Sequence, residues 1–570
     1  MTVILIVFQS TSGKNNEIIG NVKDLADIEI VTALGKVRGT YLTSQAGRNF
    51  YAFRGIRYAQ PPIGFLRFKA PVAVEQWFDI FDATKDGPMC PQDGTTTDDM
   101  SEDCLRLNIY TPDLPRSDSV NEEIKKPVIV FLHPGGFYSL SGQSKNFAGP
   151  HYFMDRNVVL VTLNYRLGSL GFLSTGTLDS IGNFGLKDQV MALKWLKLHI
   201  SRFGGDPGSI TLLGYGAGAM AISLHMISPM SKGLFHKVIL MSGSATAQWE
   251  IPKHQLHLAR KHGALMNCTD HNTMELVNCL KKKDATEIAS KQNELFEFGK
   301  YNPFLVWKPV IEPDLGQERF LDDDPIKLYQ RGRFMRIPII AGVTDKEFVG
   351  PAIAILQNET LRREMDEKFD DLAPICFLYE RHTPRSNLIS KRIRKKYLGG
   401  GLLHPERSLE GLSQLYADSL IGFGVHRFVR LTARLTRVFY YQFSYTGRFS
   451  HLYYPEDKPY GAVHHDDLMY LFTQPSITSM FADDDPEYRM MQKMTRMWAN
   501  FAYKGDPNKN NDEYLRAMRW RPFNYRAEPY LRIGKDLQMA EFLHPDRFEL
   551  WKDLFPLNWL PPRRGIIGFG

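Results

Sequence analysis

The sequence predicts an α/β protein, a large and mostly parallel central sheet flanked by helices. Two observations carry that expectation. Apolar, β-branched runs alternate with stretches of helical periodicity, and several of the runs end in glycine. Strands buried on both faces read as continuous apolar runs, and helices between them make the crossovers that parallel pairing requires.

The elements follow in order. IEIVTALGKVRGTYL (28–42) has the alternation and turns of paired strands. KKPVIVFLHPGGF (125–137) and NVVLVTLNYRLG (157–168) are apolar strands running into loops. GLKDQVMALKWLKLHISRF (185–203) places Val190, Leu193, Leu196 and Ile200 on one helical face. SITLLG is a strand, AMAISLHMI a helix and HKVILMSGS again a strand. Near the C-terminus Met490, Met494, Met497, Trp498 and Phe501 share one face of a helix, a stripe expected in the core, with a partner-binding face as the alternative. With no internal repeat or low-complexity linker, the expected organisation is an N-terminal leader or disordered segment (1–28), one domain (29–557) and a C-terminal tail (558–570).

Composition narrows the function classes. The 570 residues carry a net charge of +7, spread along the chain, which does not point to nucleic acid. The one dense basic run, KRIRKKY (391–397), precedes glycines and reads as a solvated helix end. No run approaches the ~18 apolar residues of a membrane span. Five cysteines are present. Cys90 and Cys104 bracket one polar loop, and Cys268 and Cys279 bracket another. Short loops flanked in this way read as disulfides and an oxidising, extracellular setting, with Cys376 left over as a buried thiol. Sequons at Asn267 and Asn358 agree with secretion. The apolar N-terminus MTVILIVF has no basic flank, so as a signal peptide it is weak. Nothing suggests a metal or a cofactor.

The chemistry-bearing stretch is TLLGYGAGAM (211–220). It reads as strand, sharp turn and small-residue helix, the outline of the G-x-S-x-G nucleophile elbow, with Gly216 at the centre where the serine would stand. FLHPGGFYSLSG supplies glycines that let backbone amides approach a reacting carbonyl. Gly135, Gly136 and Ala217 are the expected oxyanion donors. Glu347, at the end of PIIAGVTDKEF, is the candidate acid. His464, in GAVHHDDLMYLF, is the candidate base, with His465 competing.

Taken with FRGIRYAQPPIGFLRF, SEDCLRLNIYTP, NYRLGSLGFLS, FGGDPGSITLLG and MWANFAYKGDPN, all in order, the chain resembles the type-B carboxylesterase and cholinesterase-like family over roughly residues 30 to 555. The resemblance implies the α/β-hydrolase fold and the pairs Cys90–Cys104 and Cys268–Cys279. It also implies that Glu347 and His464 occupy the acid and base positions, and Gly216 the serine position. The departures are specific. Tyr215 stands where the family usually has glutamate, Pro134 replaces the first oxyanion-loop glycine, and Phe548 stands where many relatives have cysteine. The loop between Cys90 and Cys104 has no tryptophan, so choline esters are not expected.

The expectation is therefore a catalytically inactive member acting by binding a protein partner or an apolar small-molecule ester, with pairing of two copies through C-terminal helices as a further expectation. The alternatives are an active carboxylic ester hydrolase of broad specificity and a carrier that sequesters hydrophobic esters. Ser223 and Ser242 lie off the turn and are not expected to attack.

Overall fold

The computed structural model describes residues 28–94, 99–115, 125–268, 271–515 and 518–557. The N-terminal apolar run, almost all of the expected leader and the C-terminal tail lie outside them. Thirteen strands of the described residues form one sheet. They are β1 (Ile28–Thr32), β2 (Gly35–Thr43), β3 (Asn49–Arg57), β4 (Phe81–Asp82), β5 (Arg106–Thr111), β6 (Lys126–Leu132) and β7 (Val159–Leu163). β8 (Gly205–Tyr215), β9 (Lys237–Met241), β10 (Ile339–Thr344), β11 (Val438–Phe443), β12 (Pro529–Ile533) and β13 (Leu537–Glu541) complete it.

The order across the sheet is β1-β2-β3-β5-β7-β6-β8-β9-β10-β11-β12-β13, with β4 paired to β2. From β7 through β12 every neighbour is parallel; β1–β2, β2–β3, β3–β5, β5–β7 and β12–β13 are antiparallel. The central strands are apolar throughout because helices cover both faces. Val128 to Leu132, Ile210, Leu212, Leu213 and Val238 to Met241 are all fully buried.

One core cluster lies under each face. The expected methionine stripe belongs to the second. Met490, Met494, Met497, Trp498 and Phe501 of the helix Pro486–Lys504 are buried in the same cluster as Phe131, Leu213 and Tyr215. Burying such side chains contributes roughly 2–3 kcal/mol each, so this face holds the helix to the underside of the elbow strand. The face is not free for a partner.

The helix Phe184–His199 carries Val190, Leu193 and Leu196 inward, with Ile200 buried just beyond it. Asp188 on it takes two bonds from the Arg166 guanidinium, at 2.8 and 2.6 Å, and a third from the Arg166 amide. The ion pair is buried on both sides. KRIRKKY forms the end of the helix Pro384–Leu398, closed by Gly399 at φ +68°.

Both cysteine pairs are bridged, Cys90 to Cys104 and Cys268 to Cys279, and Cys376 is a buried free thiol. Each bridge closes a short loop, worth about 3 kcal/mol in the chain-entropy picture. Phe548 is buried against His426. No helix of the described residues is long and apolar enough to cross a membrane.

Candidate active site

The site lies where the chain leaves the C-terminal ends of the central parallel strands, the edge at which open α/β sheets bind ligands. β8 ends at Tyr215, Gly216 turns, and the helix Ala217–His225 begins at once. Gly216 has φ +53° and ψ −115°. Its amide donates to Met241 O at 2.9 Å, and its carbonyl accepts from Met220 N at 2.9 Å. The turn is tight enough that a Cβ on Gly218 would lie 2.0 Å from Leu132 O. Only glycine lets this helix pass so close to β6.

At Gly216 the space is different. A Cβ there would sit 3.6 Å from His464 Nε2 and 3.6 Å from Pro134 Cβ, which is ordinary contact. Sterically, the elbow has room for a side chain pointing at the histidine. One bond further, a hydroxyl would reach Nε2.

His464 and Glu347 are brought together from positions 117 apart in sequence. Glu347 follows β10 and is 2% exposed. Its Oε2 meets His464 Nδ1, and its Oε1 accepts from Thr344 N at 2.8 Å. The imidazole is therefore oriented with Nε2 toward the elbow.

His465, the competing candidate, faces elsewhere. Its ring lies among Phe147, Tyr215 and His451. That enclosure, with His464 and His451 beside it, pushes its pKa well below the usual histidine value. Its amide donates to Tyr215 Oη at 2.8 Å. Tyr215 is fully buried beneath His464, ring centroids 4.9 Å apart, and burial raises its pKa well above that of a free phenol. It therefore brings no negative charge to the elbow. Asp467, close by, accepts from Tyr441 Oη at 3.2 Å. Burial and the neighbouring Glu347 push its carboxyl well up.

The glycine loop leaves β6. Gly135 has φ +107° and Gly136 φ +60°. A Cβ at Gly135 would fall 1.9 Å from Ser139 O, so this turn admits only glycine. The loop is pinned from below. His133 Nδ1 donates to Pro134 O at 2.8 Å, and Tyr165 Oη donates to His133 O at 2.9 Å. Burial lowers the His133 pKa to about 4, so the ring is neutral. Among the described residues, the amides of Gly135, Gly136 and Ala217 have no backbone carbonyl as acceptor. Ser223 and Ser242 are buried. Ser223 Oγ donates to Met220 O at 2.6 Å and is committed to the fold.

An apolar wall rises from the histidine, and the sequence reading missed it. Phe348 lies 4.3 Å from His464, Phe304 4.8 Å from Phe348, and Tyr301 6.3 Å from Phe304. Phe296 is 6.3 Å from Tyr301, and Tyr138 of the glycine loop is 6.1 Å from Phe296. All five are half-buried. No period links them in sequence; only the aromatic richness of FEFGKYNPF (296–304) hinted at a lining.

The sequon asparagines Asn267 and Asn358 are both exposed. No group of histidine, cysteine and acidic side chains suited to a metal ion occurs among the described residues.

The carboxylesterase family model matches residues 26–551. Juvenile hormone esterase of Tribolium castaneum is 35% identical over 528 residues, 89% of this chain and 87% of that protein. Neuroligin-2 of Mus musculus is 30% identical over 584 residues, 92% of this chain and 67% of that protein. The crystal structure of juvenile hormone esterase from Manduca sexta, with OTFP covalently attached, superposes with a TM-score of 0.80 at 29% identity, covering 94% of this chain and all of that one. With a central parallel sheet, an elbow at the end of β8 and a matched span of this extent, the chain belongs to the carboxylesterase family.

Proposed function

We propose that this chain binds esters or a protein partner without hydrolysing esters, and that Gly216 occupies the position of the nucleophile. The observation that carries the reading is the backbone of a nucleophile elbow with no side chain on it, facing a histidine already oriented by a buried carboxylate. In this reading Glu347 and His464 are the acid and base of an inherited triad, and Gly135, Gly136 and Ala217 its oxyanion donors. Without a nucleophile, donors and binding alone leave ~10³–10⁴-fold over water, far below a working esterase. The apolar wall favours a hydrophobic guest, and the neuroligin relatives favour a protein partner as the alternative occupant. The two disulfides and the exposed sequon asparagines support a secreted protein. Pairing through C-terminal helices belongs to the same proposal.

A second reading, an active carboxylic ester hydrolase, is favoured by the intact His464–Glu347 pair and by the esterase relatives. One experiment separates the two. Purified protein is treated with a fluorophosphonate probe and analysed by intact mass, beside an ester-turnover assay. No adduct and background turnover support the binding reading, and a stoichiometric adduct with turnover overturns it.

A further inference from the structure

Beside the apolar wall lies a narrow recess with room for about one water-sized group, and its polar lining is incomplete. It is formed by the short helix Gly168–Phe172, the helix Leu256–Leu265, the turn Lys291–Leu295 and the loop carrying Trp307, with Tyr138 of the glycine loop on its rim. Its polar side chains are Gln92, Ser169, His262 and Gln292.

Gln92 is satisfied. Its amide nitrogen donates to Cys90 O and Leu140 O, and its oxygen accepts from Leu140 N at 2.6 Å. The other side is not. His262 is 1% exposed and Gln292 5% exposed, yet His262 Nδ1 and Gln292 Nε2 have no hydrogen-bond partner.

Ser169 Oγ lies 3.3 Å from His262 Nε2. The hydroxyl can donate to that nitrogen or accept from it; in the tautomer where Ser169 donates, the imidazole proton sits on Nδ1. The edge-on Trp307 ring, 5.7 Å away, closes the other side of the imidazole. Burial keeps His262 neutral, its pKa lowered to about 4.

In that tautomer two buried side chains of the recess carry N–H groups without a hydrogen-bond partner. Leaving such donors unpaired costs about 1–3 kcal/mol each, and native interiors rarely tolerate it. We propose that His262 Nδ1 and Gln292 Nε2 form a donor site for one neutral acceptor oxygen. The occupant is water when no guest is bound, and a carbonyl or hydroxyl oxygen when an apolar guest lies along the wall. The guest arm rests on the ligand-binding reading above; the water arm does not. A neutral donor pair suits an uncharged oxygen, which brings no charge into a buried site.

The test uses the whole protein. A crystal structure near atomic resolution is determined without additive and again after soaking with methyl octyl ketone, and affinities for that ketone and for n-decane are measured by quenching of tryptophan fluorescence. The proposal expects an oxygen within hydrogen-bond distance of both nitrogens in the first crystal, replaced by the ketone oxygen in the second. It also expects ketone binding about tenfold tighter than decane, lost in Gln292→Leu and in His262→Phe/Gln292→Leu. The single variant keeps the test informative if the double variant misfolds. A dry recess in both crystals, or an unchanged ketone preference in Gln292→Leu, overturns it. Ester turnover by the wild-type protein would overturn the non-hydrolytic reading alone and leave this result readable.

Discussion

On one side of the cleft, His464 and Glu347 keep both their side chains and their mutual orientation. Across from them, the elbow has kept its backbone bonds and holds no side chain at its apex. The two sides differ in what their groups do for the fold. Glu347 Oε1 accepts from Thr344 N and so ties the loop after β10 to its strand. Deleting that carboxylate strands a buried amide and an imidazole. The Gly216 amide and carbonyl are bonded to Met241 and Met220 whatever stands at Cβ. A side chain that serves only chemistry can be lost without leaving a buried group unpaired, whereas one that also satisfies a buried amide is held in place. In the proposed reading the histidine–carboxylate pair is therefore weak evidence for catalysis, and the glycine at the elbow is the half to test.

The largest test of that contrast is Gly216→Ser. Because the space and the histidine are in place, the variant is expected to gain a fluorophosphonate adduct and at least ~10³-fold in ester turnover, in view of the ~10⁶-fold loss on removing such a serine. Loss of the gain in Gly216→Ser/Glu347→Gln would place Glu347 in the same machinery. Persistent inactivity of the single variant would mean that Tyr215 or Pro134 has also altered the pocket.

Acid should damage the glycine-loop side through His133, along with His225, His262 and His426. Burial holds these rings at about 4, 3, 4 and 3 respectively, against ~6.5 when unfolded. The unfolded chain then binds protons that the native state refuses. Stability is fully present above pH ~6.5 and falls as pH drops toward 4. A flat Tm across that window, by calorimetry, would contradict the burial of these rings.

Glu347→Ala should lower stability by about 3 kcal/mol in denaturant unfolding, since it leaves a buried amide unpaired and opens a cavity. Gly216→Ala meets no steric clash and should cost less, about 1–2 kcal/mol, the strain of a side chain at φ +53°. If Gly216→Ala were the more destabilising of the two, the contrast between the halves would fail. The smallest effect expected is at Cys376. Burial raises its thiol to about 12, so native protein at pH 8 should take up no iodoacetamide, and non-reducing mass analysis should count two bridges.

Much of the site is legible in the sequence, but unevenly. The elbow and the glycine loop were legible because a sharp turn and a close backbone approach demand particular residues at adjacent positions. Glu347 and His464 were separate candidates from their own loops, and only the family resemblance put them together, since nothing local ties two residues so far apart. His465 competed on equal terms until its ring was seen to pack against Phe147 and Tyr215. The wall of Tyr138, Phe296, Tyr301, Phe304 and Phe348 had no periodic signature beyond the aromatic-rich stretch 296–304, because Tyr138 and Phe348 come from other loops.

By itself, then, the chain determined its strands and crossover helices, the turn at Gly216, the glycines of the β6 loop and the loops its cysteines close. These depend on short-range sterics and on the spacing of apolar residues. Which histidine faces the elbow, which rings line the cleft and which buried donors lack a partner were decided only by the packing of the sheet and its long loops. Distance in space between segments remote in sequence is fixed by the whole core, and no local pattern encodes it.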